Sequence, residues 1–142
     1  MIERVHEHMV AELQQGARTD AIFVITAVLL NLLTLGINSS VAEQSRESGA
    51  TTVVMVLFIL LTVIVNVVAT LGLLKGRQTR ARLLEGLLRM YADEGVDGYY
   101  DPTLLANYGA RYVLFIFAVT FMGAIAIIVP LVLRWSAPAL TG

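Results

Sequence analysis

The sequence predicts an all-α integral membrane protein, with three transmembrane helices, an N-terminal amphipathic helix and a cytoplasmic helical hairpin that extends spans two and three. Three observations carry this reading. Of the 142 residues 57% are apolar and 15% charged, and mean hydropathy is +0.75, whereas soluble domains hold about 45–50% apolar and about 25% charged residues. The apolar residues gather into three long runs instead of short amphipathic segments. There is no cysteine, which excludes disulfide frameworks, thiolate zinc sites and thiol nucleophiles. A net charge of −1 gives no broad basic field, so no nucleic-acid partner is expected.

Residues 1–19 are expected to form the amphipathic cytoplasmic helix. Ile2, Val5, Met9, Val10 and Leu13 recur at helical spacing, and Glu3, Arg4, Glu7 and Glu12 fill the remaining surface. His6 and His8 are two residues apart, which turns them about 200° from each other on a helix, so they do not make an i, i+4 metal pair. Transmembrane helix 1 is assigned to 20–38, where an apolar run of 18 residues covers about 27 Å. The small residues Ser40, Val41 and Ala42 resemble a signal-peptide cleavage site, but the acidic Glu3, Glu7, Glu12 and Asp20 ahead of them argue for a retained span.

An outer loop is expected over 39–52, carrying the sequon Asn38-Ser39-Ser40 too close to the bilayer to be used. Helix 2 is placed at 53–74 and helix 3 at 112–133, each 22 residues and about 33 Å if straight. β-Branched residues crowd the second run, yet open strand edges are not satisfied in lipid, so it reads as helix. Over 75–111 the cytoplasmic hairpin is expected: Leu84, Leu87, Leu88 and Tyr91 share a face that prolongs helix 2, residues 93–98 turn, and Asp101 followed by Pro102 caps a helix running through Tyr108 and Arg111 into helix 3. Pro130 is expected to kink the outer end of helix 3. Residues 134–142 form a short outer tail, with Tyr112 and Trp135 as interfacial anchors.

Lys and Arg set the orientation. Arg4, Arg18, Lys75, Arg77, Arg80, Arg82, Arg89 and Arg111 fall on one side and only Arg46 and Arg134 on the other, which predicts a cytoplasmic N-terminus and an outer C-terminus. Lys75, Arg77, Arg80 and Arg82 are the candidate lipid head-group contacts. The acidic turn places Asp93, Asp97, Gly98 and Asp101 in an EF-hand-like register, but Gly95 and Leu104 stand where ligands belong, so a solvated turn is the expectation and no metal or other cofactor is assigned. No HExxH, GxSxG, P-loop or dinucleotide fingerprint occurs, and the span interiors lack titratable side chains, so an enzyme or proton-coupled carrier is not expected.

Neutral polar residues are the most informative feature. Asp20, Asn31, Thr34 and Asn38 fall within about 60° on helix 1, and Thr62, Asn66 and Thr70 within about 80° on helix 2. Counted from the inner ends, Asn31, Asn66 and Thr120 all lie about 12–14 Å deep. Two readings follow. In one, all of these groups, the helix 1 edge included, hydrogen-bond across helices within a single chain as adhesion; in the other, the helix 1 edge of Asp20, Asn31, Thr34 and Asn38 lines a hydrated path for inorganic ions between copies in a ring, and Thr62, Asn66, Thr70 and Thr120 make polar contacts between helices. With Glu43 and Glu47 as an acidic outer mouth, the leading expectation is a small homo-oligomeric, cation-conducting channel or pore subunit. The alternative is a non-conducting membrane scaffold or regulatory subunit that binds a partner through its cytoplasmic hairpin. Small-residue patterns, Gly72 with Gly76 on helix 2 and Gly123, Ala124 and Ala126 on helix 3, are further association signals.

Overall fold

A computed structural model describes residues 1–99 and 103–136. Three long α-helices run up, down and up: α1 Ile2–Gln44, α2 Gly49–Asp93 and α3 Leu104–Ser136, with a short 3-10 turn at Asp97–Tyr99. No strand occurs among the described residues. Each long helix contains a segment long and apolar enough to cross a membrane. At 43, 45 and 33 residues they measure about 65, 68 and 50 Å, well beyond the roughly 30 Å of a bilayer's hydrocarbon. A helix of such length laid across that layer would extend well beyond it.

The helices outrun the apolar runs at both ends. α1 has no break near residue 19, because nothing between Ile2 and Gln44 is a proline and its glycines are isolated. The connection expected over 39–52 shortens to residues 45–48. The helix accommodates Ser39 and Ser40, whose hydroxyls donate to the carbonyls of Leu35 and Gly36, and Ser48 caps α2 by accepting from the Ala50 N–H at 3.2 Å. α2 continues through Leu84, Leu87 and Tyr91 and ends at Asp93, two residues before Gly95, whose φ of 72° is the only positive value among the described residues. α3 continues through Pro130, which is buried. The expected cap at Asp101 and Pro102, and the tail beyond Ser136, lie outside the described residues.

All three helices pack on one another. The inward positions recur at steps of three or four residues or their sums: Gly16, Asp20, Ala27, Asn31, Thr34, Asn38 and Ala42 on α1, with Ser45 just past its end; Met55, Thr62, Ala69, Leu73, Leu84 and Leu87 on α2; Tyr112, Val119, Gly123, Ala126 and Pro130 on α3. That repeat, close to the 3.6 of a straight α-helix, keeps one continuous face of each helix turned to the other two. The apolar centre is small, formed by Ala27, Ala69, Leu73, Tyr112 and Val119 with Val24, Ile116 and Phe115 against it. Large apolar side chains, among them Leu29, Leu33, Leu57, Leu60, Ile64, Leu114 and Phe117, point outward instead. A water-soluble bundle buries its large residues and exposes its small polar ones. This chain does the reverse over its apolar segments, as a hydrocarbon surrounding requires.

Candidate functional site, a polar seam inside the bundle

The seam is built in tiers. At the lysine- and arginine-rich end, Asp20 of α1 is buried and receives a hydrogen bond from the Tyr112 hydroxyl of α3. Arg80 of α2 reaches the same carboxylate, with Nη2 3.7 Å from Oδ2. Two glycines make room for this triad. A Cβ on Gly16 would overlap the Arg80 guanidinium, and one on Gly76 would stand 2.9 Å from Asp20 Oδ1 and 3.6 Å from the Tyr112 oxygen. Arg80 Nε has no hydrogen-bond partner.

Midway, the Asn31 and Asn66 carboxamides bond reciprocally: Asn31 Nδ2 donates to Asn66 Oδ1 at 3.1 Å and Asn66 Nδ2 donates back to Asn31 Oδ1 at 2.8 Å. Asn66 also donates to the Thr62 carbonyl at 2.7 Å. The amide pair lies against α3 at Gly123, where a Cβ would overlap the Asn66 side chain. Thr34 and Thr62 bury their hydroxyls on the carbonyls of Leu30 and Phe58 in their own helices, at 2.8 and 2.9 Å. Nearer the far end, Asn38 Nδ2 donates to the Met55 carbonyl at 3.3 Å, while its Oδ1 is buried without a partner. Beyond it Arg46 donates to the Leu133 carbonyl at 2.7 Å and Arg134 to the Thr52 hydroxyl at 3.1 Å, tying the short connection to the end of α3.

The four residues expected to line a path between copies thus lie within one chain, with Asn31 and Asn38 each 1% exposed and Asp20 and Thr34 each 6%. Of the expected polar contacts, Asn66 and Thr62 join the seam. Thr70 and Thr120 do not. They line an outward groove of about 500 Å³ between α2 and α3, with Val63, Val67 and Ala124. Glu43 and Glu47 are exposed near the connection. Of the basic cluster, Lys75, Arg77 and Arg82 are exposed, whereas Arg80 is turned inward onto Asp20. Gly72 packs against the Phe23 ring and Gly76 against Asp20, so both glycines of that pattern are spent within the chain.

Sequence reasoning missed Arg80 and Tyr112 as partners of Asp20. The available signal was their phase: Leu73, Gly76 and Arg80 continue the inward three-four spacing of α2. It also missed the hydrogen bond, 2.7 Å long, between His6 Nε2 and the Tyr91 hydroxyl, which joins α1 to α2 at the tip. Beside that bond Ile2, Glu3, Glu7, Met90, Glu94 and Val96 line a groove of about 310 Å³. Among the described residues no three His, Asp or Glu side chains converge as metal ligands would.

Fold and seam define an all-helical chain with three helices long and apolar enough to cross a membrane. Neither a known protein family, nor a curated protein, nor a solved structure matches it.

Proposed function

We propose that this protein is a non-conducting membrane scaffold: three helices hold it in the bilayer, and their extensions carry a partner-binding end into the cytoplasm. The observation that supports this reading above the channel is the burial of the α1 polar edge within its own chain. Asn31 is taken up by Asn66, Asn38 donates to Met55, and Asp20 is held by Tyr112 and Arg80. A ring of copies then has no hydrophilic stripe of α1 to place around water. In the scaffold reading these groups supply helix-to-helix adhesion, each contact contributing about 0.6 kcal/mol and rarely above 1.7.

The finer parts of the proposal follow the sequence. The segment 1–19 and the hairpin 75–111 form the cytoplasmic end, with the N-terminus inside and the C-terminus outside, because eight of the ten Lys and Arg side chains lie toward that end. Its tip suits a partner segment that carries lysine or arginine beside an apolar side chain. The tip groove offers Ile2, Met90 and Val96 to the apolar part and Glu3, Glu7 and Glu94 to the cation.

Reconstitution of the full chain into liposomes, with potassium and sodium flux recorded over several voltages and pH values, tests the reading. Flux equal to that of empty liposomes is expected. Cation flux in the wild type that falls with Asn31→Leu or Asp20→Asn would return the assignment to a homo-oligomeric channel.

A further inference from the structure

The side chains around the buried triad carry a second message. Gly76, Asp20 and Tyr112 meet, so they fix one level of the bundle, common to all three helices. Within about two residues of that level each helix exposes a cation: Arg18 on α1, Lys75 and Arg77 on α2, and Arg111 on α3. Asp20 is the carboxylate at this level among the described residues, and it is buried and engaged by Arg80 and Tyr112. The next carboxylates, Glu12 and Glu85, stand six residues from Arg18 and eight from Arg77, about 9 and 12 Å along the axis. Those separations reach or exceed the Debye length of about 8 Å at physiological salt. The four cations therefore act on their surroundings without a local counter-charge.

Two of them have a neighbour on α3. The Arg77 guanidinium lies beside Gly109, its Nη2 3.6 Å from where a Cβ would stand, an ordinary contact distance. The Arg111 guanidinium stands 5.7 Å from the centre of the Phe115 ring. Immediately beyond the level, on the span side, the exposed surface becomes apolar, with Ile22, Leu71, Val113 and Leu114 outward. A positive girdle bordering an apolar belt matches one ligand form, an anionic group carried on a hydrocarbon chain. Arg80 is excluded from the girdle by its burial. Arg82 stands five residues beyond Arg77 and three from Glu85, which partly neutralises it.

We propose that Arg18, Lys75, Arg77 and Arg111 form a girdle that binds the phosphates of anionic phospholipids and so fixes how deeply the chain sits in the bilayer. This assignment is independent of what the cytoplasmic tip binds.

The test is retention of lipid by the purified full chain, counted by native mass spectrometry after exposure to equal amounts of phosphatidylglycerol and phosphatidylcholine. Wild type is expected to retain phosphatidylglycerol several-fold over phosphatidylcholine. With two of the four cations gone, the doubly substituted Arg77→Gln, Arg111→Gln chain should approach parity, and Arg82→Gln should stay within about two-fold of wild type. A second pair, Arg18→Gln with Lys75→Gln, reads the same ratio from the other two helices, and circular dichroism confirms that helix content is kept. Equal retention of both lipids by wild type, or a preference that survives in both double variants, would overturn the girdle. Displacement of phosphatidylglycerol by inorganic phosphate at matched concentration would overturn the lipid and assign the site to a free anion.

Discussion

At the scale of single residues, Gly123 shows how the seam is specified. An amide pair such as Asn31 with Asn66 satisfies two donors and two acceptors at once, which matters most where no water offers an alternative. It fits only because α3 presents no side chain at that tier. Gly123→Ala is therefore expected to displace the Asn66 carboxamide and break the pair, combining an overpacking cost with a lost hydrogen bond, about 1–3 kcal/mol together. In an Asn66→Ala background the same change should cost well under 1 kcal/mol, because the group it strikes is gone. Reversible unfolding in mixed micelles, followed for the single and double variants, measures both. Strictly additive losses would show that the glycine serves some other end. The same logic explains Gly16 and Gly76, which clear space for Arg80 and Asp20. A buried carboxylate with a guanidinium and a phenol on it is a weak source of net stability. Its consequence is positional: Asp20, Arg80 and Tyr112 come from three helices, so their meeting selects one axial register.

At the scale of elements, the lengths of α1 and α2 depend on how their near ends are closed. Ser48 sits in an extended conformation with φ −141° and ψ 131° and caps α2 through its hydroxyl, while Thr51 and Thr52 reach back to the Gln44 and Ser45 carbonyls at 3.1 and 2.8 Å. Replacing Ser48 by alanine leaves an α2 amide without its acceptor and should lower stability by about 1 kcal/mol. The loss should be local, read as faster amide exchange over the first turns of α2 with the Asn31–Asn66 tier unchanged. The helical class and the three apolar segments were legible in the sequence because hydropathy over some twenty residues is a sum that little else imitates. The polar edge of α1 was legible too, since Asn31, Thr34 and Asn38 recur at a helical period. What faces that edge was not. A period says that one side of a rod is polar, and the same pattern serves a neighbour in the chain or a neighbouring copy. The deciding features are complementary vacancies on the other two helices, Gly123 opposite Asn66 and Gly76 opposite Asp20. Those become pairs only when the relative register of three helices is known. For the same reason Arg80 read as one more exposed cation beside Lys75, Arg77 and Arg82.

At the scale of the whole molecule, charge is sorted along the bundle axis, and that sorting predicts how the chain inserts. The tip holds Glu3, Glu7, Asp93, Glu94 and Asp97 against Arg4 and Arg89, the girdle level holds Arg18, Lys75, Arg77 and Arg111, the apolar segments follow, and the opposite end has Arg46 and Arg134 near Glu43 and Glu47. Orientation responds to Lys and Arg close to the span ends far more than to acidic residues, so the acidic tip does not offset the girdle. The chain lacks cysteine, which makes single-cysteine accessibility a clean measurement of sidedness. With a membrane-impermeant maleimide on intact cells, a cysteine at Glu47 should label, and one at Asp93 should label only after permeabilisation; both positions are exposed. Replacing Lys75, Arg77, Arg82 and Arg111 together by glutamine removes four of the eight cations on the proposed inner side and should produce a mixed population in which some chains label at position 93 from outside. Arg80 is left in place, so the triad that sets the register survives and a change in sidedness reports charge alone. Labelling of the Asp93 cysteine on intact wild-type cells would invert the proposed topology and move the partner-binding tip to the outer face.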